Sequence, residues 1–145
     1  MSDRCEIPLK NATSDQIRDI LKSARRIAVV GHSDDSARDS YRIGRYLAGR
    51  GYEVFPVNPN ARSTPALKFY PDLASVPGPI DIVDVFRRPE AIPEAVDQAI
   101  GAGAKVVWMQ LGLAHNAAAS KARAAGLQVV MDRCIMVEHR AIAGR

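Results

Sequence analysis

The chain has 145 residues, 47% hydrophobic and 25% charged, with a formal net charge of +4 and a pI near 9.3. The length suits one domain over residues 1–145 with a real core, and the apolar runs are too short to span a bilayer, so a membrane class is set aside. The basic residues are scattered, which argues against nucleic acid, and Cys5 and Cys134 form neither a C-x-x-C nor a metal spacing, which fits a reduced cytoplasmic setting.

The opening residues 1–4 lead into no signal-like apolar stretch. Thr13-Ser14-Asp15-Gln16 is a capping box, and Ile17, Ile20, Leu21 and Ala24 follow at helical spacing. Residues 26–31 read as a buried strand ending in Gly31. A polar loop of eleven residues, 31–41, follows, and the spacing predicts a helix over 40–50 with Ile43, Tyr46 and Leu47 inward. Residues 52–57 form a second strand. Pro56 places it near a sheet edge, and Asn58-Pro59-Asn60 stops it.

Residues 61–79 carry four prolines and read as a long connection, with a short strand near 67–70. Residues 80–86 are the third strand. Pro89 fits the first turn of the next helix, where Ile92, Ala95, Val96, Ala99 and Ile100 recur at helical spacing. Residues 105–109 are strand four, and Asn116 is the expected cap of an Ala-rich helix to residue 125. Residues 128–131 are strand five. This alternation predicts an α/β fold, a doubly wound Rossmann-like parallel sheet of about five strands with helices on both faces.

In such a sheet, ligands sit outside the carboxyl ends of the strands. Residues 31–41, 58–62, 86–89, 110–113 and 132–134 then share one crevice. Gly31 begins a G-x-G-x-x-G-like turn that does not continue, because Ser33 and Ser36 stand at the second and third Gly positions. That weakens a standard NAD site and keeps an anion-binding loop, with Ser33, Arg38, Ser40 and the helix start at Tyr41 as donors. The alternative is a plain loop with Ser40 as helix cap. No acid follows strand two to hold an NAD ribose, whereas Arg62 offers a cation for a ribose phosphate. Arg87-Arg88 beside a helix start form a phosphate clamp, or else pair with Asp84, Glu90 or Glu94. Gln110 and Gly112 end strand four, one able to bond a ligand edge and the other to admit close backbone approach. His32, His115 and His139 show no metal spacing, and His32 alone lies near the crevice. Cys134 faces either the crevice or the core, and no base for it is evident.

Val30-Gly31-x-Ser33, Ser40-Tyr41-Arg42, the run 56–60, the run 81–89, Trp108-x-Gln110-Leu111-Gly112 and the run 131–135 together resemble the CoA-binding domain family. These are small single-domain bacterial proteins, similar in fold to the N-terminal domain of the succinyl-CoA synthetase α subunit. The resemblance runs from about residue 13 to His139. It implies a Rossmann-like domain that holds CoA or acyl-CoA across Gly31-x-Ser33, with Asn58, Pro59, Phe86, Arg87, Gln110 and Gly112 lining the ligand. Three positions depart from the family: Ser36 and Asp39 stand where relatives often carry Pro, and His32 where an apolar residue is usual. A loop without those prolines is expected to lose more entropy on ordering.

The leading expectation is therefore a non-catalytic CoA or acyl-CoA carrier, sensor or subunit, without metal and with no complete catalytic set. A homodimer or an association with a partner subunit is compatible with the chain. One alternative is an NADP-binding oxidoreductase or other nucleotide-dependent enzyme, with Arg62 or Arg87 on the 2′-phosphate. Another is an interaction domain that keeps only the fold.

Overall fold

The computed structural model describes residues 6–143, so Cys5 and the opening residues 1–4 lie outside it. In chain order the elements are α1 (Ser14–Ser23), β1 (Arg26–Val30), α2 (Asp39–Gly49), β2 (Glu53–Val57), β3 (Ile82–Val85), α3 (Ile92–Gly101), β4 (Val106–Met109), α4 (Asn116–Ala124), β5 (Gln128–Val130) and α5 (Ile135–Ala143). Single 3-10 turns at Leu73–Ser75 and Pro89–Ala91 punctuate the longer connections.

The strands form one sheet in the order β2-β1-β3-β4-β5, and every pairing is parallel. From β1 the chain moves to β2 on one side and then returns to place β3 on the other. The β1/β3 boundary is thus the switch point, where a crevice opens between the departing loops. Pro56 pairs across to Val29, and β2 is an edge strand, as its proline suggests.

Alternation along each strand splits the core in two. Ala28, Val30, Val83, Val85, Val107 and Met109 face α3 and α4. Ile27, Val29, Ile82, Val106 and Trp108 face α1, α2 and α5. On the first side Ala118, Ala119 and Ala122 are buried, and their small side chains bring α4 close to the sheet. On the second side Trp108 is fully buried and donates its indole N–H to the Arg133 carbonyl at 2.8 Å. That bond ties β4 to the segment entering α5.

Four local details differ from the sequence expectations. His115, not Asn116, caps α4: its Nδ1 accepts the Ala118 N–H at 3.1 Å, and Asn116 becomes the first helical residue. Residues 67–70 form no strand. They are held instead by isolated bridges of Tyr70 to Val57 and of Thr64 to Leu67. Pro89 opens a 3-10 turn just ahead of α3 rather than α3 itself. The chain also adds α5 after β5, whose Ile135 is fully buried against the second face.

Residues 6–12 run beside β5. Asn11 accepts the Met131 N–H through Oδ1 at 2.9 Å and donates Nδ2 to the Met131 carbonyl at 2.8 Å. Glu6 accepts from the Asn116 backbone at 2.7 Å, which anchors the segment at the start of α4.

Candidate functional site

A cleft of about 770 Å³ opens at the carboxyl end of the sheet, over the switch point. That is within the ~300–1,000 Å³ range of small-molecule sites. Gly31, Ser33, Arg38, Asp39, Ser40 and Ile43 come from the first loop and α2. Asn58, Phe86, Arg87, Arg88 and Pro89 follow β2 and β3, and Gln110, Leu111, Leu113 and Cys134 follow β4 and β5.

Gly31 makes the geometry of the first turn. Its φ is +88°, and a Cβ there would collide with the Phe86 carbonyl, so the two loops approach as closely as they do only with glycine. Its N–H donates to the Val57 carbonyl at 2.8 Å. The loop beyond is tied by its own polar groups. Ser33 donates its N–H to the Ser40 hydroxyl at 2.9 Å, so Ser40 braces the loop instead of capping α2. Asp35 N–H bonds the Ser33 hydroxyl, and Ala37 N–H bonds the Asp35 carboxylate, both at 2.9 Å. Asn58 donates to the His32 carbonyl at 3.1 Å. These bonds supply order where the sequence lacks the family's prolines.

The structure brings Gly31, Ser33, Arg38, Ser40, Asn58, Phe86, Arg87, Arg88 and Gln110 into one cleft. It sets five other candidates outside its lining. His32 is 1% exposed, donates Nδ1–H to the Ser33 carbonyl at 2.7 Å, and packs edge-on against Tyr41 and Phe69. Burial lowers its pKa against the raising effect of that bond, which keeps the ring neutral beneath the loop. Tyr41 is half-buried against this ring. Pro59 lines a separate pocket of about 110 Å³ on the far side of Arg87. Arg62 is exposed, with its backbone N–H on the Asp34 carboxylate at 3.0 Å. Gly112 donates its N–H to Asp132 at 2.7 Å, which fixes the β4 turn. Asp132 itself adopts φ +57°, a conformation Asp tolerates better than most residues.

Of the lining residues, Ile43 lies outside the five segments expected to share the crevice; it reaches the cleft from α2, where its spacing marks it only as an inward position. Among the described residues Arg38, Arg87 and Arg88 form no ion pair, whereas Asp39, the one carboxylate in the lining, is paired with Arg42. The cleft therefore presents uncompensated positive charge beside Ser33 and the start of α2. That is the electrostatics of an anion site. No group of acidic, His or Cys residues able to hold a metal occurs among the described residues, and no helix there is long and apolar enough to cross a membrane.

Residues 25–140 match the family model of the CoA binding domain. The chain belongs to the CoA-binding domain family. It is 38% identical over 131 residues to the uncharacterized protein YneT of Bacillus subtilis (strain 168), covering 90% of this chain and 97% of that one. A hypothetical protein from Pyrococcus horikoshii OT3 superposes with a TM-score of 0.88 at 40% identity, over 96% of this chain and 98% of that chain. An ADP-forming acetate–CoA ligase of Archaeoglobus fulgidus is 27% identical over 95 residues. That match covers 64% of this chain and 14% of the ligase. In this CoA-binding domain the matched region contains all five strands and the whole lining of the cleft.

Proposed function

We propose that this CoA-binding domain binds CoA or acyl-CoA in the switch-point cleft and serves as a carrier, sensor or subunit rather than activating carboxylates itself. The observation that carries this reading is the convergence of Ser33, Arg38, Arg87 and Arg88 on one cleft with Ile43, Phe86, Leu111 and Leu113. CoA combines the same two characters, phosphates and a long, less polar arm ending in a thiol. Arg87 and Arg88 suit the phosphates, because guanidinium groups make paired charge-assisted contacts to them. Gly31 and Ser33 admit the ligand backbone, and Asn58 stands where the adenosine would lie. The family match supports the ligand class.

A ligand that binds only the folded state adds about 2.7 kcal/mol at a hundredfold excess over its Kd, which raises the melting temperature of a domain this size by roughly 5–10 °C. CoA should give such a rise, dephospho-CoA a smaller one, and NAD or NADP almost none. Arg87→Ala should cut the CoA effect, since one charge-assisted contact contributes about 1.5–3 kcal/mol. A larger rise with NADP than with CoA would overturn the reading in favour of a nucleotide-dependent oxidoreductase.

A further inference from the structure

Gln110 is bonded to the residue that follows Cys134, and both line the β4–β5 side of the cleft. Cys134 is a free cysteine, half-buried, and lines the cleft. Its carbonyl accepts the Glu138 N–H at 3.0 Å, so Cys134 stands at the start of α5. Gln110 is 5% exposed, and its Oε1 accepts the N–H of Ile135, the residue after Cys134, at 3.1 Å. A backbone N–H can only donate. The oxygen end of the Gln110 amide is thereby fixed, and the NH₂ end is the one left over.

That Nε2 has no protein acceptor among the described residues, yet it is not sealed from the cleft that Gln110 lines. An amide donor that opens onto the cleft with no protein acceptor is free to bond the acceptor of a ligand seated there. The same cleft is lined by Cys134, whose thiol is the most nucleophilic of the neutral side chains. Leu111 and Leu113 add apolar surface at the same side. An acceptor oxygen bonded to an electrophilic carbon, carried on a CoA-like arm, fits this pairing.

Resting on the CoA reading, we propose that Cys134 takes the acyl group of a bound short-chain acyl-CoA and holds it as a thioester. The Cys134 sulfur attacks the carbonyl carbon and forms the new C–S bond. The oxygen, negative in the tetrahedral intermediate, accepts the Gln110 Nε2–H and lies at the start of α5, where helix geometry favours negative charge. The C–S bond to CoA then breaks. The proton lost by the Cys134 thiol passes through solvent to the CoA sulfur, giving acyl-Cys134 and free CoA. Nothing is oxidised or reduced, and one thioester replaces another. The step is stoichiometric and reversible, as suits a carrier.

The test is intact-mass analysis after incubation with acetyl-CoA, beside the melting shift with CoA. The expected result is one acetyl group per chain, released by hydroxylamine, kept in Cys5→Ala and absent from Cys134→Ala. Acetylation by a small acetyl thioester lacking the nucleotide should be at least about tenfold slower at equal concentration, because only the bound donor is positioned. Gln110→Glu keeps an acceptor for Ile135 and removes the donor, so acetylation should slow roughly a hundredfold while α5 stays docked. A CoA melting shift without acetylation would overturn the proposal and leave CoA binding standing. Neither shift nor acetylation would overturn both. Label that survives in Cys134→Ala, resists hydroxylamine or forms equally fast from the small thioester would also overturn it, as would a wild-type rate in Gln110→Glu.

Discussion

Asp84 is the residue least at ease in this fold. It sits on β3 between Val29 and Trp108, on the face that packs against α1, α2 and α5. It is fully buried, and neither carboxyl oxygen finds a hydrogen bond among the described residues. Burial pushes its carboxyl well above the ordinary carboxylate range. The folded chain therefore keeps a proton that the unfolded chain releases above about pH 4. Stability from this group is present below that point and is lost as pH rises through the folded value. Asp84→Asn removes the titration at nearly equal volume. Urea unfolding at about pH 5 and about pH 8 should show a smaller loss in the variant than in the wild type. The buried His32 works in the opposite direction below its ordinary value of about 6.5, but that contribution is common to both proteins and cancels in the comparison. Equal losses in the two proteins would show that Asp84 is not held protonated.

Among the elements, α1 is the one most completely specified by local sequence. Thr13 accepts the Gln16 N–H at 3.1 Å and Gln16 accepts the Thr13 N–H at 2.8 Å, while Ile17, Ile20 and Leu21 are buried. Thr13→Ala should cost about 1 kcal/mol in urea unfolding and leave the CoA melting shift unchanged. An effect on the CoA shift as large as that of Arg87→Ala would mean that α1 couples to the cleft. The strands were legible for the same local reason, since fully buried parallel strands read as near-continuous apolar runs, 27–30 without a break and 82–85 interrupted by Asp84. The helix α5 was not. Residues 135–143 follow a motif that draws the eye to Cys134, and their packing is set by distant partners. Tyr46 bonds His139 at 2.8 Å across 93 residues, and Gln110 bonds Ile135. The cap of α4 escaped for a related reason: His115 accepts as well as Asn116 would, and only the backbone shows which residue precedes the helix. In the cleft, Gly31, Arg87 and Gln110 could be read because turn residues directly after apolar runs mark strand ends. His32 could not be placed, because its burial comes from Tyr41, Phe69 and the glycine at Gly44, where a Cβ would meet its ring at 2.5 Å.

At the scale of the whole molecule, the order β2-β1-β3-β4-β5 gathers loops from all five strands at one end. The loops after β1 and β3 bring Arg38, Arg87 and Arg88, which form no ion pair among the described residues, and those after β4 and β5 bring Leu111, Leu113 and Cys134. Such a site suits an anion, and the proposed carrying of acyl groups without activating them is tested at this scale. The protein incubated with ATP, CoA and a panel of carboxylic acids should yield no acyl-CoA above a control without protein. Protein-dependent acyl-CoA that disappears in Arg87→Ala would instead make the chain an acyl-activating enzyme.

Asn11 presents to Met131 the donor and acceptor that a neighbouring strand would present, and at the opposite side Tyr70 bonds the carbonyl of Pro56 and the N–H of Asn58, both at 2.9 Å. Each rim of the sheet is thereby covered at one point by a residue of the same chain. A second molecule reaching either rim meets these groups already bonded, which shortens the ladder it could extend.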